Sequence, residues 1–125
     1  MARGSIDDIS FAQIYPLYVQ KAERKGCDRA DVDRIICWLT GYDRPGVENQ
    51  IVADSSFHEF FESAPGMHPN RNLVHGVICG VRIEKITDPI TKEVRILDKL
   101  IDELAKGKPM EKILRDQPRG NAQST

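Results

Sequence analysis

The sequence predicts an all-α domain of about six helices of unequal length, packed as a compact orthogonal bundle. Three observations carry that expectation. Apolar residues recur in steps of three and four through most of the chain. Capping signatures stand at the heads of these runs. Glycine and proline cut the runs into unequal lengths, which suits crossing helices better than a parallel-sided four-helix bundle. The length of 125 residues fits one domain, expected over 10–116, with a flexible N-terminus at 1–9 and a disordered tail at 117–125. Hydrophobic residues make up 40% and charged residues 30%, a balance too apolar for a disordered chain.

The first helix opens at Ser10-Phe11-Ala12-Gln13, a capping box flanked by Ile9 and Ile14 in staple positions. Phe11, Ile14, Tyr15, Tyr18, Val19 and Ala22 line one side of it until Gly26. Pro16 removes one hydrogen bond and clashes one turn back, so a kink or a restart is expected there. The second helix opens at Asp28 with Asp31 in its first turn, buries Val32, Ile35, Ile36 and Leu39, and ends at Gly41. Arg44-Pro45-Gly46 begins a third, running to about Ala53. Ser56-Phe57-His58-Glu59 is another capping box, heading a helix with Phe57, Phe60 and Phe61 as an aromatic plug. Residues 64–70 hold two prolines and a glycine and read as a loop.

Leu73 to Ile86 is the ambiguous stretch. Val77, Ile78, Val81 and Ile83 favour a strand, but Val74, Ile78, Val81 and Lys85 step as a helix face does, and Gly76 and Gly80 would let another helix approach. A helix is expected here. The next helix is the clearest: Asp88 caps it, Pro89 takes its first position, and Ile90, Val94, Leu97, Ile101 and Leu104 repeat until Gly107. A short helix from Pro109 to about Arg115 completes the domain.

Composition excludes little about function. Eighteen basic against nineteen acidic residues give a net charge of −1, which disfavours a nucleic-acid binder. Cys27, Cys37 and Cys79 form no C-x-x-C pair, so neither a disulfide framework nor a zinc knuckle is indicated. The N-terminal residues do not form a signal peptide, and no apolar run is long enough to span a membrane, so a cytoplasmic protein is expected. Phosphate-cradling, dinucleotide, zincin, nucleophile-elbow and EF-hand motifs are missing, and no cofactor is implied.

One constellation stands out. If 73–86 is helical, Arg71, His75, Cys79 and Arg82 share a face, with Asn70 where that helix begins. The loop–helix region 65–82 then offers Asn70, Arg71, His75 and Arg82 to a small phosphate or carboxylate, as an enzyme or a sensor would. Commoner in proteins is the arrangement in which Asn70 caps, Arg71 and Arg82 pair with acids or water, and Cys79 is core. Trp38 and Tyr42, with Cys79, are candidates to line an apolar pocket, although such residues are more often plain core. His58, His68 and His75 match no ligand spacing, so no metal site is expected. Residues 28–53 have a helix–turn–helix outline that would present Arg44, Glu48, Asn49 and Gln50 to DNA, against the opposing charge of Glu48 and Asp54. The apolar stripe from Ile90 to Leu104 suits internal packing first and a homodimer seam second. These readings together favour a small binding or interaction module, able to self-associate, over an enzyme.

Four stretches carry a family resemblance. They are Ile36-Cys37-Trp38-Leu39-Thr40-Gly41-Tyr42; Phe60-Phe61 with Ala64-Pro65 and Pro69-Asn70-Arg71; Gly76-Val77-Ile78-Cys79-Gly80-Val81-Arg82; and the run from Leu97 to Lys108. Over about Phe11 to Arg115 the chain resembles the small bacterial proteins of domain of unknown function family 2200. The resemblance implies an all-helical, single-domain, cytoplasmic protein and carries over no catalytic or ligand residue.

Overall fold

In the computed structural model, which describes residues 8–78 and 80–115, the chain is mostly helical. The elements follow in the order α1 (Phe11–Arg24), α2 (Arg29–Thr40), α3 (Arg44–Val52), α4 (Phe57–Glu62), a 3₁₀ turn (Pro69–Leu73), β1 (Val77–Ile78), β2 (Val81–Arg82), a second 3₁₀ turn (Ile83–Lys85), α5 (Pro89–Ala105) and α6 (Met110–Ile113). Residues 1–7 and 116–125, which hold most of the expected flexible ends, lie outside the described residues.

The helix starts follow the sequence. Asp28 and Asp31 make a reciprocal capping box, as do Ser56 and Glu59, while Ser10, Asp43 and Asp88 each accept a first-turn N–H. The heads of α1 and α4 also serve one another. The Phe11 N–H donates to the Ser55 carbonyl and the Phe57 N–H to the Ile9 carbonyl, both at 2.8 Å. Each helix thereby satisfies an N–H that its own first turn leaves without a partner.

The core is a three-way packing of α1, α2 and α5, with α3 against α1 and α2, and with α4 and α6 against α5. Phe11 stacks on Phe60 at 4.0 Å between ring centroids, and Phe57 meets Phe11 edge-on. Val94, Ile96, Leu97, Leu100, Ile101 and Leu104 of α5 are all buried within the chain, so the stripe that could have served as a dimer seam is used internally. Helix α1 runs unbroken across Pro16, and the restart does not occur. Pro16 sits on the exposed side, where water can reach the carbonyl that it leaves unbonded.

The expected helix over 73–86 is corrected. The segment forms a small antiparallel hairpin, Val77 opposite Arg82 and Ile78 opposite Val81, between two 3₁₀ turns. Gly76 and Gly80 adopt φ values of +105° and +77°, which a right-handed helix cannot contain. Their four-residue spacing marks two left-handed backbone positions and not a helix contact face. The Ile83 N–H closes on the Gly76 carbonyl at 2.8 Å, and Lys99 Nζ from α5 donates to the Val77 carbonyl at 3.3 Å.

Candidate functional site

Where α1, α2 and α3 meet, four polar side chains converge. Asp33 of α2 is buried, and removing a carboxylate from water is costly unless donors surround it. The Tyr15 hydroxyl of α1, also buried, donates to Asp33 Oδ1. Arg44 of α3 places a terminal nitrogen 3.3 Å from Asp33 Oδ2, and Arg29, one turn before Asp33, approaches the same oxygen at 3.7 Å. Arg29 Nε donates in turn to the Tyr15 oxygen at 2.8 Å, and its guanidinium lies 5.5 Å from the centroid of the Tyr15 ring, within cation–π range. Burial, then the hydrogen bond to Asp33, pushes the Tyr15 phenol up to about 12, against the opposing influence of Arg29. At neutral pH Tyr15 therefore keeps its proton, and acts as a donor that orients its neighbours.

Beside this cluster α1 and the first turn of α2 leave a cleft of about 280 Å³, lined by Tyr15, Pro16, Val19, Gln20 and Arg29. It is a shallow cleft open to solvent, with mostly apolar walls and Arg29 and Gln20 as polar members. A second cleft of about 260 Å³ lies between α1, α4 and α5, lined by Ile9, Ile14, Tyr18, Phe57, Val94, Arg95 and Asp98. Its polar rim is bonded internally: Tyr18 donates to Asp98 Oδ1 at 2.6 Å and Arg95 to Asp98 Oδ2 at 3.1 Å.

The residues singled out from the sequence are distributed differently. The Asn70 side chain donates to the Arg115 carbonyl, tying the 3₁₀ turn to the end of the described chain. Arg71 Nε lies 3.0 and 2.9 Å from the two carboxylate oxygens of Glu93 on α5, and its NH1 donates to the His68 carbonyl at 2.8 Å. Arg82 lies on β2, where NH1 meets Glu84 Oε2 at 3.3 Å. His75 is exposed ahead of the hairpin. The common face assumed for Arg71, His75, Cys79 and Arg82 required a helix that is not there. Cys79 lies outside the described residues.

Trp38 stacks on the His68 ring at 4.3 Å, and Tyr42 is buried with its hydroxyl donating to the Phe60 carbonyl at 2.6 Å. Neither lines the α1–α2 cleft. In the helix–turn–helix segment, Arg44 faces Asp33, and Glu48 stands 3.9 Å from Arg29. The three histidines sit on separate elements, and among the described residues no group of three potential metal ligands occurs. No helix among them is long and apolar enough to cross a membrane.

No sequence motif groups Tyr15, Arg29 and Asp33. The available signal was Asp33 itself, a carboxylate three residues before Ile36 on the inner side of α2, preceded at four residues by Arg29. A charge bordering a fully buried stripe needs a partner from another element.

A family model described as an uncharacterized protein conserved in bacteria (DUF2200) matches residues 5–115. The chain is also similar to a protein of known structure, the uncharacterized protein SP1917, with 41% sequence identity and a TM-score of 0.83. The match covers 91% of this chain and 93% of that one. No curated protein matches it.

Proposed function

The chain belongs to the DUF2200 family of uncharacterised bacterial proteins, and from that premise we propose that it is a small-ligand binding module whose ligand seats in the α1–α2 cleft. The observation that carries this reading is the placement of about 280 Å³ of mostly apolar cleft directly against the Tyr15–Arg29–Asp33 cluster. The cluster supports holding a ligand better than transferring protons, because a phenol pushed up to about 12 is a poor base at neutral pH. The thiols of Cys27 and Cys37 are unpaired, which supports a reducing, cytoplasmic setting. A fragment screen read from the amide shifts of the ¹⁵N-labelled chain tests the reading. Hits are expected to converge on Val19, Gln20 and Arg29, and Gln20→Trp, filling the cleft from an exposed position, should abolish them. Hits spread over the surface, or unaffected by Gln20→Trp, would overturn it.

Self-association is a second reading, favoured by the hairpin. Val77 and Val81 are 49% and 36% exposed on the two short strands, an apolar patch that a second copy could cover. Sedimentation at high micromolar concentration should then reveal a dimer burying more than about 1,000 Å², weakened by Val77→Lys. A monomer throughout that range removes this reading and leaves the cleft untouched.

A further inference from the structure

Resting on that reading of the cleft, we infer that its ligand is a small monocarboxylate, its acid group received by Arg29 and its apolar body laid along Tyr15, Pro16 and Val19. Arg29 is already oriented: Nε is bonded to Tyr15, and the guanidinium is held against the Tyr15 ring. Its terminal NH2 lies 3.9 Å from Glu48 Oε2, beyond hydrogen-bond length, on side chains that are 50% and 59% exposed. The guanidinium edge is thus fixed in direction but only loosely engaged. A planar carboxylate is the group that such a fork binds best.

Charge balance sets the valence. Arg29, Arg44, Asp33 and Glu48 sum to zero, with Arg44 turned toward the buried Asp33 and Glu48 toward Arg29. A single negative charge can take the place of Glu48, which swings into water. A dianion would find no second cation in the cleft lining. Glu48 does not line the cleft, but as the exposed acid nearest the terminal nitrogen of Arg29 it competes electrostatically with the ligand. The cleft, about 280 Å³ and open to solvent, admits only a small acid against its apolar wall, for which benzoate and hexanoate are suitable probes.

The test titrates the ¹⁵N-labelled full chain with benzoate and hexanoate, and in parallel with the neutral amides benzamide and hexanamide. Saturable shifts are expected at Val19, Gln20 and Arg29, with the acids binding about tenfold more tightly than the amides, the scale of one charged hydrogen-bonded pair. Glu48→Gln should tighten the acids about threefold, as loss of a surface competitor would, and leave the amides unchanged. Arg29→Gln should erase the difference between acid and amide. Because Glu48 is exposed, its variant keeps the test independent of any folding defect in the Arg29 variant. Amides that bind the cleft as tightly as acids overturn the carboxylate assignment while the binding reading stands. Acids and amides that both leave the cleft resonances unmoved, when other fragments do shift them, exclude this ligand class. If no fragment shifts them, the binding reading falls and this inference with it.

Discussion

Gly41 and Gly66 meet backbone to backbone. Gly41 ends α2 at a φ of +82°, and a Cβ added there would lie 2.8 Å from both the nitrogen and the oxygen of Gly66. The loop comes this close because it satisfies carbonyls that the end of α2 leaves open. The Gly66 N–H donates to the Thr40 carbonyl at 3.0 Å and the His68 N–H to the Leu39 carbonyl at 2.9 Å. Gly41→Ala is expected to cost about 3 kcal/mol, from left-handed strain together with the collision. A Cβ on Gly66 meets only open space, so Gly66→Ala should change stability by less than about 0.5 kcal/mol. Urea denaturation of the two variants distinguishes them, and equal losses would refute the contact.

Tyr15→Phe strips the buried Asp33 of a donor and Arg29 of an acceptor while keeping the ring. The expected loss is about 1–3 kcal/mol, the cost of an unsatisfied buried polar group. A midpoint within error of the wild type would mean that water or Arg44 replaces the hydroxyl at no cost.

The same phenol makes a prediction at alkaline pH. Its folded-state value, about 12, lies above the ordinary 10, so the folded chain holds that proton more tightly than the unfolded one. Stability from this group is complete below pH 10 and is lost as pH rises toward 12. Spectroscopic titration of the tyrosines should show a late-ionising phenol that Tyr15→Phe removes.

Glu84 predicts the opposite limb. Its carboxylate accepts the Gly76 N–H at 3.0 Å and faces Arg82, and these contacts, the Gly76 bond foremost, hold it at about 2. A value depressed below the ordinary 4.5 means that its support of the hairpin is present above that pH and fades as pH falls toward 2. The Gly76 amide resonance should follow that acid titration, and Glu84→Gln should abolish it.

The end of the described chain is latched by charge. Arg115 grips Glu103 through NH1 at 2.8 Å and NH2 at 3.1 Å, with Glu103 buried in α5. Arg115→Ala should cost about 2–3 kcal/mol, less than for a fully stranded buried charge because Lys108 Nζ remains 3.5 Å away. Adding Glu103→Gln should recover part of that loss, since the uncompensated charge is then gone. A double variant weaker than Arg115→Ala alone would refute that account.

The helices were legible wherever the signal was local. Ser56-Phe57-His58-Glu59 declares its own helix start, and Asp88-Pro89 declares another, because capping is decided within four residues. The hairpin was not legible, because Gly76 and Gly80 satisfy helical spacing and left-handed turns equally well on paper. What selects the turns is pairing at longer range than a helix uses, with Ile83 closing on Gly76 across the hairpin and Lys99 reaching from α5 to Val77. For the same reason Arg71 and Arg82 read as one stripe, yet Arg71 lies in the first 3₁₀ turn facing Glu93 and Arg82 on β2 facing Glu84.

Periodicity and capping are properties of neighbouring residues, so the mostly helical class, most helix starts and most of the core could be read along the chain. Tertiary structure alone decided that Tyr15, Arg29, Asp33 and Arg44 form one cluster, and that a cleft opens beside it. The physical reason is solvation. A carboxylate on the edge of a buried stripe must recruit donors, and which helices deliver them depends on how α1, α2 and α3 pack.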